Sequence, residues 1–333
     1  MLNNNTDVAR RGFGCRLLAV FGAAAGLILA QPSAWADYPD KPIRLIVGSN
    51  TGGGGDTTAR VVAEALSKKL GTSIIVDNRP GASGNIGAAF VARAEPDGYT
   101  LLFAYTGHVI NPALFSNMPF DTVKDFRAVG KIGDNQSMLV VNEKIPAQTL
   151  AEFIGLARKQ PDHYSFASLF GTDQYMTARL LAQSQDVKFL FVPYKGNAAA
   201  LNDVLSGQVD AMVNTVGVTA PFVRAGKLRA LAVMSKTRSS LLPEVPTLQE
   251  AGVQGVASGG WYGLMAPAGV SDAVIAKLGA ALAAVLTEKK VGEDMRKLGV
   301  EPSYVPAQAF DAFIKAEVPR WQKFTADAGI RPE

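Results

Sequence analysis

The chain has 333 residues, 48% of them hydrophobic and 19% charged, enough for one large core or two ordinary ones and outside the composition of disordered or coiled-coil chains. Thirty-three Lys and Arg against 29 Asp and Glu give a net charge of +4 with no long basic run, so no nucleic-acid surface is expected. Two His and one Cys leave almost nothing for a zinc site, an iron–sulfur cluster or a His- or Cys-based nucleophile triad.

Arg10, Arg11 and Arg16 precede the apolar run LLAVFGAAAGLILA (17–30), and QPSAWA follows it to Ala36. This is the order of a secretory signal peptide, with Ala34 and Ala36 meeting the small-residue requirement for cleavage after Ala36. The run is shorter than the roughly 20 residues needed to cross a bilayer, which disfavours a retained anchor. RRGFG leaves a twin-arginine route open beside the general one. Cleavage removes Cys15 and lowers the net charge to +2, so the exported chain, expected in the periplasm, must be held by its core without disulfides.

From residue 41 strand and helix patterns alternate. KPIRLIVGS (41–49) holds Ile43, Leu45 and Val47 in alternation, and NTGGGGD leads into a helix that Gly71 stops after Lys68 and Lys69. SIIVDNRPG (73–81) is a strand, 85–94 a helix ended before Pro96, and TLLFAY (100–105) a third strand. A second set follows: strand SMLVVNE (137–143), a helix capped by Thr149 and ended at Pro161, strand HYSFAS (163–168), helix 171–183 and strand KFLFVPY (188–194). Helix 197–205 and strands 210–213, 228–234 and 261–267 complete it. The chain closes with helix 271–298, interrupted near Lys289, and helix 307–328, bent or broken at Pro319. About nine strands suit two α/β lobes with parallel-rich sheets better than one. The expected division is 37–140 with 263–333 as lobe 1 and 141–262 as an inserted lobe 2, although a tandem pair would show the same alternation.

Glycines cluster where strands turn into helices. TGGGGD exposes backbone amides at a helix start, where an anion meets unpaired N–H groups and the positive end of the helix dipole; a simple glycine bend is the alternative. The spacing lacks both GK[ST] and GxGxxG, which disfavours ATP and NAD. PGASGNIG, LFGTDQ and YKGNAA offer three more such starts, and starts in two lobes would converge on a cleft at the carboxyl ends of the sheets. Catalytic readings are thin: caps and turns account for Asp56, Asp173 and Asp210, and no GxSxG, HExxH or paired-carboxylate helix is present. His108 has a ligand-facing alternative after the third strand, Lys195 is the one basic residue at a glycine start, and Trp261 and Tyr262 suit either the cleft mouth or a hinge core.

The strings YPDKPIRLIVG, GGGGDTTAR, VDNRPGASGNIGAAFVARAEPDGYTLL, FVPYKG, AGKLRALAV, LPEVPTLQEAG and WYGLMAPAG, in this order, resemble the extracytoplasmic solute receptors of tripartite tricarboxylate transporters, the Bordetella uptake-receptor group. The resemblance implies a two-lobe periplasmic binding protein fold of the type II kind, closing on a ligand and passing it to a membrane permease. It implies carboxylate ligands, no enzyme activity, no cofactor or metal, and a monomer. Carried over, the family's contacts are Gly54 and Asp56 in the first loop, Ser83 and Asn85 in the second, then Thr106, Gly171, Thr172, Asp173, Lys195 and Asn197. Two strings depart from the family pattern. GSNTGGGG replaces a proline-stiffened loop, and LFGTDQYM puts Asp173 where a GSG-like run and a His are usual, an extra carboxylate that would repel a ligand's second one unless an ammonium or hydroxyl met it. An exported enzyme acting on a small acid, or a sensor for a membrane kinase, are the rival readings.

Overall fold

The structure, a computed structural model, describes residues 38–194, 196–254, 256 and 259–332. The expected signal peptide and its cleavage point lie outside these residues, as does Lys195. Contacts divide the chain into Met1–Asp40 and Lys41–Glu333, and the second unit carries the whole of the fold described below.

In chain order the first part contains β1 (Ile43–Val47), α1 (Gly54–Leu70), β2 (Ile74–Asn78), a 3-10 turn (Ala82–Gly84), α2 (Asn85–Ala92), β3 (Thr100–Tyr105), α3 (Gly107–Leu114) and β4 (Phe126–Asn135). Then come β5 (Ser137–Asn142), α4 (Leu150–Lys159), β6 (Ser165–Ser168), α5 (Asp173–Ser184), β7 (Leu190–Pro193), α6 (Asn197–Ser206), β8 (Ala211–Thr215), α7 (Val216–Arg224) and β9 (Leu228–Val233). The last part is β10 (Gly260–Pro267), α8 (Asp272–Leu286), α9 (Lys289–Lys297), β11 (Val300–Pro306) and α10 (Ala307–Asp327).

Two sheets result, ordered β11-β4-β10-β3-β1-β2 and β7-β6-β8-β5-β9. Each has a parallel half, β3-β1-β2 in one and β7-β6-β8 in the other, built from strand–helix–strand units. The expectation of parallel-rich sheets holds for those halves. The remaining pairs, β10 with β3 and β4, β11 with β4, and β5 with β8 and β9, are antiparallel, so both sheets are mixed. Strand β5 lies wholly in the second sheet and β10 wholly in the first, so the chain crosses at Gln136 and returns between β9 and β10.

Burial follows the side-chain period. Leu139 and Val141 of β5 enter a core with Phe153, Phe166 and Leu181, while Met138 and Val140 enter another on the opposite face with Leu201, Val204 and Met212. That is why SMLVV reads as an unbroken apolar run: both of its faces are covered. In the first sheet α10 lays Phe310, Ile314 and Trp321 on the core that holds Ile110, Leu114 and Trp261. Gly263 lets the Phe310 ring sit directly on β10. Thr149 caps α4 with a full capping box to Glu152, and Gly71 ends α1 in the left-handed conformation.

Two strands and two helices escape the sequence patterns. The apolar pattern of β4 is interrupted by Gly130 and Gly133, where a Cβ would stand 2.9 Å from the Tyr304 ring and 2.6 Å from the Glu301 carbonyl. β11 carries Pro302 and Pro306, tolerable because it lies at the sheet edge. α3 and α7 each contain a proline, Pro112 and Pro221.

Candidate functional site

Parallel strands place their following turns at their carboxyl ends, and the turns of the two sheets meet there. From the first sheet come the loop after β1 that starts α1, the turn after β2 with Ser83, and the turn after β3 with Thr106. From the second come the turn after β6 with Gly171 and Asp173, and the end of β8 with Thr215. Ser83 Oγ donates to the Phe170 carbonyl across the gap at 2.8 Å. Gly171 holds a left-handed φ of 78°, and a side chain there would overlap Ser83, so both the backbone and the close approach require glycine. A Cβ on Gly54 would stand 3.6 Å from the Tyr262 hydroxyl and 3.8 Å from Thr215 Oγ1, which places the start of α1 against both walls.

The amides at this start lack intrahelical partners by construction, and Gly53, the residue before the helix, gives no side-chain cap. The helix dipole adds positive potential there. Asp56 does not face the gap. Its Oδ2 accepts from the Gly52 amide at 2.9 Å and its Oδ1 pairs with Arg60 at 2.9 Å. Burial acts to raise its pKa, but the bonds from Arg60, Gly52 and Asn78 outweigh it and hold the carboxyl below the usual range. Asp56 thus stiffens the glycine loop from within, the part that prolines would otherwise play.

Asp173 is different. It opens α5, and its Oδ2 lies 2.7 Å from where a Cβ of Gly260 would be, with Thr106 Oγ1 at 3.2 Å from the same point. Burial pushes its pKa up to about 6 against two backbone amides, its own and that of Gln174. Tyr105 and Tyr262 are raised in turn, first by burial and then by the Asp173 charge, so both stay neutral donors. The Tyr105 hydroxyl donates to the Ser83 carbonyl at 2.9 Å, and Asn111 Nδ2 donates to the same oxygen at 2.9 Å and to Asn85 Oδ1 at 2.7 Å. The hollow under this network measures about 10 Å³, room for at most one water. A larger hollow, about 440 Å³, lies open over the turn between α1 and β2, away from every turn named here.

A family model described as the tripartite tricarboxylate transporter family receptor matches residues 58–330. The chain belongs to that family. This receptor is similar to protein BugT of Bordetella pertussis, 32% identical over 322 residues that cover 95% of this chain and 98% of that one. Among solved structures it is similar to the periplasmic binding protein BugD, 33% identical with a TM-score of 0.81, covering 89% of this chain and 100% of that one. A protein of R. palustris solved with adipate is 32% identical with a TM-score of 0.83, covering 89% and 100%.

Of the residues expected at the receptor's site, Gly54, Ser83, Thr106, Gly171 and Asp173 are brought to the gap. Thr106 is buried, its Oγ1 accepting from the Trp261 amide at 2.8 Å and so tying β3 to β10. Asn85 sits under the second loop, bonded to Asn111 and to Met118 Sδ. Thr172 caps its own helix through the Tyr175 amide, and Asn197 is exposed at the start of α6. Lys195 lies outside the described residues. Asp210 straps β8 to Ser165 of β6 through two bonds of 2.7 Å. The ligand-facing alternative for His108 gives way to a core position: it is buried edge-on to Phe126 with its Nε2 3.3 Å from the Thr122 carbonyl, and burial lowers its pKa to about 4. Tyr105, Asn111, Thr215 and Gly260 were not singled out from sequence. Only the position of Tyr105 at the end of a clear strand offered a signal.

Proposed function

We propose that this receptor captures a small organic carboxylate outside the inner membrane and presents it to the membrane subunits of a tripartite tricarboxylate-type permease. The observation that carries the reading is the uncapped start of α1, placed against Tyr262 and Thr215 where turns of both sheets meet. Amides of Gly54 and Gly55 grip one carboxylate there, since hydrogen bonds to a charged acceptor in a partly dry gap are about twice as strong as neutral ones. The solved relative with adipate supports an acid as ligand. In this reading 1–36 is a signal peptide cleaved after Ala36, and the exported chain acts as a monomer without cofactor. The lobes follow the expected division, 37–140 with 263–333 and 141–262, with the first junction moved to just before β5 and the second to just before β10, because each of these strands lies wholly in one sheet. Ligand contacts favour the joined arrangement of the two sheets, and the permease recognises that arrangement.

Native mass spectrometry of the purified protein, followed by a thermal-shift screen of small acids, tests this. The expected result is a retained mass of a small organic acid and a raised Tm with one or more acids. A bare mass together with a Tm that no acid moves would contradict it.

A further inference from the structure

The gap is electrically lopsided. One end offers the amides and dipole of α1. At the other, the Asp173 carboxylate stands half-buried beside Thr106 and Gly260, and among the described residues only two backbone amides act to hold its charge. A second acceptor lies close by. Asn111 is 1% exposed and its Oδ1 has no partner, although a Cβ on Gly171 would stand 3.1 Å from it. Its amide cannot be turned the other way, because Nδ2 already donates to two oxygens, those of Ser83 and Asn85. Asn111 Oδ1 is fully enclosed, so the acceptor that this wall turns toward the gap is the half-buried Asp173. The Tyr262 ring links the two ends: its hydroxyl packs on Gly54, while the charge of Asp173 acts on its phenol. A ligand gripped by the α1 amides would border this ring and lie toward Asp173.

We propose that Asp173 makes this receptor select acids whose far end carries a hydrogen-bond donor, an ammonium above all, over plain dicarboxylates. The inference rests on the carboxylate-receptor reading and deepens it. A second ligand carboxylate would meet Asp173 in a place where water screens poorly, whereas an ammonium there gains a charged partner.

Titration calorimetry at neutral pH tests it with pairs that exchange a terminal ammonium for a terminal carboxylate: β-alanine with succinate, γ-aminobutyrate with glutarate, δ-aminovalerate with adipate. In the best-fitting pair the wild-type protein is expected to favour the amino acid roughly tenfold or more. Asp173→Asn is expected to reverse that order, and Asp173→Ser, which keeps a good residue for a helix start, should do the same if the first variant folds poorly. Preference for the dicarboxylate in the wild type, or an unchanged ratio in the variants, overturns the inference while leaving a carboxylate receptor in place. Absence of binding by every probe to every protein overturns both.

Discussion

Asp173 is a carboxylate under opposing influences, and the balance is measurable. Burial raises its pKa from 3.8 to about 6, which at about 1.4 kcal/mol per unit places a penalty of roughly 1–3 kcal/mol on the ionised form at neutral pH. That pKa is what remains after the two backbone amides at the helix start have drawn it down, so the penalty wins. Asp173→Asn should therefore be more stable than wild type by roughly 1–2 kcal/mol in urea unfolding at neutral pH, and equal or lower stability would contradict the assignment. The pH dependence carries a second sign. A raised acid pKa means that the contribution of Asp173 favours the fold below its unfolded value of 3.8 and is lost as pH rises through about 6. The depressed pKa of His108 works the other way, its contribution present above 6.5 and lost as pH falls through about 4. The two trends oppose each other in the wild type, so the variant should lose stability more steeply from pH 6.5 down to 4. At this scale Asp173, Thr172 and Ser83 were legible because caps and glycine turns leave local signatures. Asn111 and Thr215 were not, because what they do depends on the turn that the fold sets opposite them.

Among the elements, the proposed carboxylate grip rests on α1, and its first residue is the place to test it. A Cβ at Gly54 would make only ordinary contacts with Tyr262 and Thr215, so the helix tolerates a methyl group there while the space in front of its amides narrows. Gly54→Ala should weaken binding of the retained acid by roughly 10-fold or more, as a charged hydrogen bond of about 1.5–3 kcal/mol is impaired, with little change in unfolding free energy. Unchanged affinity would move the carboxylate to another turn. The elements read correctly from sequence were those whose period was clean: β1, β3 and β5 by apolar strand runs, α4 by Thr149 and Glu152, and α8 with α9 by the break near Lys289. β4, β11, α3 and α7 were hidden by glycines and prolines that tertiary contacts demand. Gly130 and Gly133 admit the crossing of β11, and Pro302 is acceptable only on an edge. Pro319, expected to bend or break the last helix, lies inside the single helix α10.

For the whole molecule, two sheets were legible from the number of strands, and the expected junction at 140/141 falls inside β5, a few residues past the crossing, because β4 runs into β5 through one residue. Gln136 receives a bond from the Val216 amide on its carbonyl and donates its own N–H to the Gly299 carbonyl, both at 2.9 Å, so the crossing is clasped by the start of α7 and by the turn before β11. Gly217 packs directly on the Leu298–Gly299 backbone at the same place. In the proposed reading this clasp is the fixed point about which one sheet moves against the other as the turns at the carboxyl ends meet over a ligand. That backbone amides there hold a negative charge is the claim on which transport depends. Titration calorimetry of the acid recovered with the protein, beside its primary amide, tests it most directly. The account predicts that the amide binds at least 100-fold more weakly, because a neutral carbonyl gains far less from the same donors; equal affinity for the two would contradict it.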